Sequence, residues 1–159
     1  MKRTLVITIL MLAALGLRPA PARADLTAFY GLSPKPDLRR AKGIAIGISL
    51  VVVGFEFEYS NTAEDLAKTG PGLRTGMING LVQTPTTGMQ FYLTAGGGFY
   101  RENYRDEQET SFGTNIGGGI KMKLAGPLRL RLDYRVFSLR GEPLYSTAQR
   151  FYAGANIAF

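Results

Sequence analysis

From Leu128 to Phe137 the chain reads LRLRLDYRVF, with apolar and charged side chains alternating. Leu128, Leu130, Leu132, Tyr134 and Val136 fall on one side of an extended strand, and Arg129, Arg131, Asp133 and Arg135 on the other. The same period recurs upstream and downstream. Val53, Phe55, Phe57 and Tyr59 oppose Gly54, Glu56, Glu58 and Ser60, while Ile116, Ile120, Met122 and Leu124 oppose Asn115, Lys121 and Lys123. Near the end, Phe151, Ala153, Ala155, Ile157 and Phe159 oppose Arg150, Tyr152 and Asn156. No helical period is sustained beyond residue 25. Eight strands are predicted, over about 26–32, 43–50, 52–60, 74–83, 89–100, 111–124, 128–137 and 148–159.

The links between them alternate in kind. Leu50-Val51, Thr84 to Gly88 and Ala125-Gly126-Pro127 are short, whereas SPKPDLRRAK, NTAEDLAKTGPGL, RENYRDEQET and SLRGEPLYSTA are longer and polar. An up-and-down meander with tight turns at one end and loops at the other has this order. Strand four carries the poorest pattern, because Leu81 shares a face with Asn79 and Gln83. Two glycine triplets, Gly96 to Gly98 and Gly117 to Gly119, flank the third loop. They are expected to lie opposite each other in a hairpin centred near Glu107-Gln108, giving a tightly curved wall room beside bulky groups.

Alternation alone leaves open which face meets which medium. An exported soluble lipocalin-like barrel binding a small apolar ligand would turn Leu130, Leu132, Phe55 and Phe57 inward and the arginines outward. A membrane barrel does the reverse. Aromatic residues favour the second arrangement: Tyr59, Phe99, Tyr134 and Phe151 lie near the loop ends of apolar faces, and Phe91 and Phe159 near the turn ends, where an interfacial girdle would sit. The polar faces also hold both signs. Glu56, Glu58 and Asp133 stand with Lys121, Lys123, Arg129, Arg131, Arg135 and Arg150, a lumen charge cluster able to pair across a narrow barrel. The lipid-facing set is then Val53, Phe55, Phe57, Leu130, Leu132, Val136, Ala155 and Ile157.

Ahead of this pattern, residues 1–24 read as a secretory signal peptide. Lys2 and Arg3 precede an apolar run from Leu5 to about Leu17, and Ala22 and Ala24 occupy the small-residue positions of a cleavage site. The apolar run is too short for a comfortable spanning helix. Cleavage there leaves one barrel domain, residues 25–159, with 15 basic and 12 acidic residues, so a formal charge of +3 replaces the +7 of the whole chain. The modest mature charge weakens the argument for nucleic acid from charge alone. Tyr134 also falls opposite Arg129, Arg131 and Arg135, so base stacking and phosphate contact would not coincide.

The chain contains neither histidine nor cysteine. That excludes the usual Ser/His and Cys/His nucleophiles, makes structural zinc an unsuitable ligand, and leaves stability to packing without disulfides. Glu56 and Glu58 share a strand face at a spacing of two, but arginine neighbours would keep both ionised and unfit for glycosidase work. Asp106, Glu107 and Glu109 read as a solvated loop tip. No catalytic residue, cofactor or metal ligand is expected.

Taken together, the strand pattern, the link order and the alternating terminus FYAGANIAF resemble the small eight-stranded outer-membrane proteins of the OmpA/OmpX barrel type across residues 25–159. The resemblance implies an all-β, antiparallel, up-and-down transmembrane barrel in a Gram-negative outer membrane. Its surroundings would be outer-membrane lipids and lipopolysaccharide, and a monomer is the expected state. Phe159 resembles the terminal signal read by the barrel assembly machinery. The expected role is structural or surface-interacting, with a charge-plugged lumen that opens at most a narrow pore, since eight strands enclose little more than their own side chains.

Overall fold

The computed structural model describes residues 22–35, 38–68, 70–85, 88–105 and 107–159. Eight strands close into one barrel in chain order: β1 (Arg23–Lys35), β2 (Arg39–Ser49), β3 (Val53–Thr62), β4 (Gly72–Gln83), β5 (Met89–Tyr104), β6 (Glu107–Ala125), β7 (Leu128–Leu139) and β8 (Thr147–Ala158). Every neighbour pair is antiparallel, and β1 pairs β8 to close the wall. Closure leaves no unpaired sheet edge. Most of the predicted leader lies outside the described residues. Arg23 and Ala24, which the sequence assigns to it, form the first rungs of β1, and Ala24 exchanges both backbone hydrogen bonds with Phe159 at 2.9 Å.

The predicted contrast between short turns and long loops needs correction. The segments SPKPDLRRAK and RENYRDEQET are mostly strand: β1 runs to Lys35, β2 starts at Arg39, and β5 and β6 pair from Asn103↔Gln108 to Tyr104↔Glu107. Polar composition there marks the end of the apolar belt, while the backbone ladder continues past it. Arg105, at φ 55, opens the tight β5–β6 connection in the left-handed region. Residues 36–37 and Asp106 lie outside the described set. Only the links over 63–71 and 140–146 are substantial, the former carrying a short 3-10 turn, Leu66–Lys68.

The glycine triplets are also displaced from their expected pairing. The β5–β6 register sets Gly97 against Thr114 and Gly118 against Leu93, so the triplets do not face one another. Their inward members instead make room beside large lumen groups. A Cβ on Gly119 would stand 2.2 Å from the Leu132 carbonyl oxygen and 2.5 Å from the Tyr92 hydroxyl. One on Gly117 would stand 2.3 Å from the Tyr134 carbonyl oxygen and 2.8 Å from Arg135 Cγ.

Faces alternate along the strands: in β3, Val53, Phe55, Phe57 and Tyr59 are exposed while Gly54, Glu56, Glu58 and Ser60 are buried. Outward side chains include Phe55 at 67% exposure and Leu93 at 72%, whereas Arg131 and Arg135 inside are at 0%. The exported soluble alternative requires the opposite faces, and the structure overturns it. Strand β4 explains its own poor pattern: Leu81 and Met77 point inward with Asn79 and Gln83. Met77 joins Leu73, Tyr100, Phe137, Leu139 and Ala148 in an apolar layer inside the loop end of the barrel.

Because Gly119 abuts backbone, Gly119→Ala is expected to lower barrel stability by about 1–3 kcal/mol through overpacking. Gly80→Ala, whose added carbon would meet only the Ala95 oxygen at 3.9 Å, should leave it nearly unchanged. Urea unfolding midpoints in micelles measure both.

Candidate functional site

Inside the wall, strands β3, β7 and β8 bring six charges together. Their side chains reach inward because Glu56 and Glu58 alternate with Phe55 and Phe57 on β3, and Arg131, Asp133 and Arg135 alternate with Leu132 and Tyr134 on β7. Arg131 binds Glu56 through both terminal nitrogens, its Nη2 to Oε1 distance being 3.2 Å. The same Nη2 lies 3.2 Å from Asp133 Oδ2. Arg135 contacts three carboxylates: Glu56 at 2.7 Å, Asp133 at 3.0 Å and Glu58 at 3.2 Å. Arg150 pairs with Glu58 and donates to the Ser60 hydroxyl at 2.5 Å. Nearer the turn end, Lys121 and Asp25 form a separate pair at 2.5 Å.

Among the described residues, these ion pairs join four cations, Lys121, Arg131, Arg135 and Arg150, with four carboxylates, Asp25, Glu56, Glu58 and Asp133. All eight are buried. Removing that many charges from water would be prohibitive without such matching. Aromatic faces line the cations as well. Arg131 lies 4.8 Å from the Tyr92 ring centre, and Arg150 lies 5.0 Å from Phe29 and 4.8 Å from Phe137. Phe29 and Tyr152 stack at 4.0 Å.

Two predicted members of the lumen cluster stand apart. Lys123 is exposed and Arg129 half-buried, directly opposite each other across β6 and β7. They share the inward parity but lie beyond the Lys121–Asp25 pair. There the lumen opens, and with Arg23 and Phe159 they line a 430 Å³ hollow at the turn end. Conversely, sequence reasoning left out Asp25 and Tyr92. The Tyr92 hydroxyl donates to Asp133 and accepts from Arg131 Nε at 2.7 Å. Its only forewarning is position, an inward tyrosine on β5 directly opposite Gly119.

On the outside, Val53, Phe55, Phe57, Ala155 and Ile157 are exposed. Leu130, Leu132 and Val136 are half-buried among outward neighbours; Leu132, for example, sits between Ile120 and Ala153. Tyr59, Phe91, Phe99, Tyr134, Phe151 and Phe159 all point outward. Tyr59, Gly76, Phe99 and Phe112 are successive cross-strand partners, so three aromatics form one row toward the loop end. Phe99 and Phe112 meet edge to face at 6.1 Å.

At the loop mouth, Glu102, Glu107, Glu109 and Glu142 border a hollow of about 670 Å³. Glu102 is 7% exposed and accepts the Leu144 amide at 2.7 Å. Burial raises its carboxyl above the ordinary value; the Leu144 hydrogen bond opposes this, Glu109 adds to it and Arg39 opposes it. Glu109 accepts the Glu142 amide at 2.5 Å. Glu102 and Glu109 therefore fasten the 140–146 loop, and Asp106 of the predicted tip lies outside the described residues.

Removing one partner of the central network is expected to be severe. Arg131→Met should destabilise the barrel by about 3–5 kcal/mol, because Glu56 and Asp133 lose a buried counter-charge. Arg131→Met with Glu56→Gln should cost clearly less than the sum of the two single changes, and urea unfolding in micelles reads the coupling. A second outcome concerns pH. A raised Glu102 means that its stabilising contribution is complete below the ordinary carboxylate pKa and fades as pH rises through the folded value. The free energy of unfolding should therefore rise as pH falls from neutral toward the ordinary carboxylate value, and Glu102→Gln should flatten that dependence.

No family model matches the sequence, and no curated protein matches it. Solved structures do. The N-terminal β-barrel domain of Pseudomonas aeruginosa OprF is 18% identical with a TM-score of 0.63, covering 86% of this chain and 97% of its own. Neisserial surface protein A (NspA) is 16% identical with a TM-score of 0.66, covering 87% and 96%. The outer membrane enzyme PagL is 13% identical with a TM-score of 0.50, covering 84% and 98%. At these identities the likeness concerns the fold, and it agrees with the closed eight-strand topology. The chain has the fold of the small eight-stranded outer-membrane β-barrels.

Proposed function

We propose that this chain is an integral outer-membrane barrel, exported through a cleaved leader, with a structural or surface-interacting role and no enzymatic activity. One observation carries the reading: the apolar side chains cover the outside while the matched charges fill the inside. An outer wall bearing Phe55, Ile78, Leu93, Phe99 and Ile116 at 66–72% exposure suits hydrocarbon and is unsuited to water. A lumen filled by Arg131, Arg135, Tyr152, Glu58, Asn79 and Asn156, each under 2% exposed, leaves no room for a wide pore. The apolar layer around Met77, Phe137 and Leu139 adds a second barrier toward the loops.

The fold itself accommodates catalysis, as PagL illustrates. The non-enzymatic reading rests on this chain's own chemistry. It has no histidine or cysteine, and every lumen carboxylate of the network is tied to a cation. The loop end faces the exterior in this reading and both termini face the periplasm, where Phe159 serves the barrel assembly machinery. Lipids and lipopolysaccharide are its surroundings, and the closed wall lets a single copy suffice.

Fractionation tests the reading. The protein should pellet with membranes, resist carbonate extraction and migrate differently on gels before and after heating. Recovery in the soluble fraction without detergent would overturn it. Leu132→Arg should reduce folding yield into bilayers, since a lipid-facing arginine at mid-depth costs about 2–4 kcal/mol. Wild-type protein in planar bilayers should show no large discrete conductance.

A further inference from the structure

The outward cations form an arrangement that the barrel role alone does not require. Arg74 on β4 and Arg101 on β5 are direct cross-strand partners, both exposed, one rung above the Tyr59–Gly76–Phe99–Phe112 row. Like charges placed opposite each other repel. Among the described residues no carboxylate pairs with either one, and the outward positions of β3 to β6 carry no acidic residue. Arg101 is tethered instead, its Nε donating to Thr110 Oγ1 at 3.2 Å. That bond fixes the guanidinium plane and leaves its terminal nitrogens free for another acceptor.

Directly below lies a groove of about 410 Å³ whose lining includes Phe57, Tyr59, Gly76, Phe99 and the two arginines. Its floor is bare where β4 presents Gly76 between Tyr59 and Phe99: a Cβ there would meet nothing within 4 Å, and the next outward position down the strand is the exposed Ile78. The result is an aromatic-sided hollow at the Gly76 rung, directly beneath a pair of guanidiniums that no carboxylate pairs. An apolar chain fits the hollow, and an anion with several oxygens fits the pair.

Resting on the outer-membrane reading, we infer that this groove binds a phosphorylated, acylated glycolipid of the outer leaflet. A lipid A phosphate is held between Arg74 and Arg101, and an acyl chain lies over Gly76 between Tyr59 and Phe99. The phosphate relieves the repulsion between the arginines, and the chain fills a hollow that the wall leaves open. Charge complementarity selects an anionic headgroup, because a neutral lipid would leave the facing guanidiniums uncompensated. The position at the loop end, exterior in the outer-membrane reading, places that headgroup in the outer leaflet.

Native mass spectrometry of the full mature barrel, released from micelles with purified bisphosphorylated lipid A, tests the assignment. Wild type should retain one lipid A, and the variant Arg74→Gln/Arg101→Gln should bind it roughly tenfold or more weakly, having lost charge-assisted hydrogen bonds from both side chains. Gly76→Phe should weaken binding with both arginines present. Arg40→Gln/Lys42→Gln, which removes two other exposed outward cations, should leave it unchanged. Dephosphorylated lipid A should bind weakly to wild type, and neither inorganic phosphate nor phosphatidylglycerol should compete effectively. Equal binding by the Arg74/Arg101 variant, or effective competition by phosphatidylglycerol, would overturn the glycolipid site while the barrel remained membrane-integrated and heat-modifiable. Failure of the underlying reading shows separately, as a wild-type protein that stays soluble without detergent.

Discussion

The mutual neutralisation of charges inside the wall is the constraint on which the rest of the structure depends. Three arginines and three carboxylates from β3, β7 and β8 meet where water is excluded, so each needs the others in place. Glu56 engages Arg131 and Arg135, and Arg135 in turn reaches Glu58 and Asp133. The contacts to Glu56 and Glu58 cross the barrel between strands that are not sheet neighbours, since β3 is bonded to β2 and β4 while β7 is bonded to β6 and β8. The backbone ladder closes the wall, and the ion pairs tie its opposite sides together.

That tie shapes the wall around it. Bulky guanidiniums and the Tyr92 ring need space, and β6 supplies it with inward Gly117 and Gly119. Glycine lowers intrinsic strand stability, so its presence in a long strand reflects a local steric demand. Arg150, at the loop-side edge of the network, reaches over Phe29, Phe137 and Tyr152 and so joins the charged layer to the apolar one. Above it, Met77, Leu73 and Leu139 complete the filling of the barrel. A polar layer and an apolar layer stacked in one narrow lumen resist water in different ways, the first by pairing its charges with one another and the second by offering water no partner.

Much of this was legible in the alternation, for a definite reason. Strict period two in β3, β7 and β8 assigns every side chain to a face once one face is known, so Glu56, Glu58, Arg131, Asp133, Arg135 and Arg150 fall together inside. What the pattern does not carry is height along the axis. Lys123 and Arg129 have the same parity as Arg131 but sit one rung from the turn, where solvent reaches them. Height also decides that Asp25, near a strand start, meets Lys121 across ninety-six residues of sequence. Strand ends were misjudged over 101–110 because composition turns polar where the apolar belt stops, whereas pairing persists as long as backbone partners exist. Leu81 and Met77 broke the alternation because an eight-strand lumen is narrow enough to need apolar filling in places. The glycine triplets shifted because the turn falls at Arg105, two residues from the expected centre.

The same residue type thus takes two physical roles according to the face it occupies. Inside, Arg131, Arg135, Arg150 and Lys121 are matched one for one by carboxylates, so the ion-paired interior contributes no net charge. Any excess charge of the barrel must then be displayed on its rims and outer wall. On the outer wall it is segregated rather than scattered: Arg40, Lys42, Arg74, Arg101 and Arg140 are exposed near the loop end, while Glu102 and Glu109 turn toward the loop mouth and accept the Leu144 and Glu142 amides there. A wall with bases outward and acids drawn inward at one end has polarity along its axis that composition alone cannot reveal. This polarity gives the unpaired Arg74–Arg101 contact its meaning, because beside eight lumen charges matched to one another, an exposed like-charge pair left without a carboxylate faces a medium able to supply the anion.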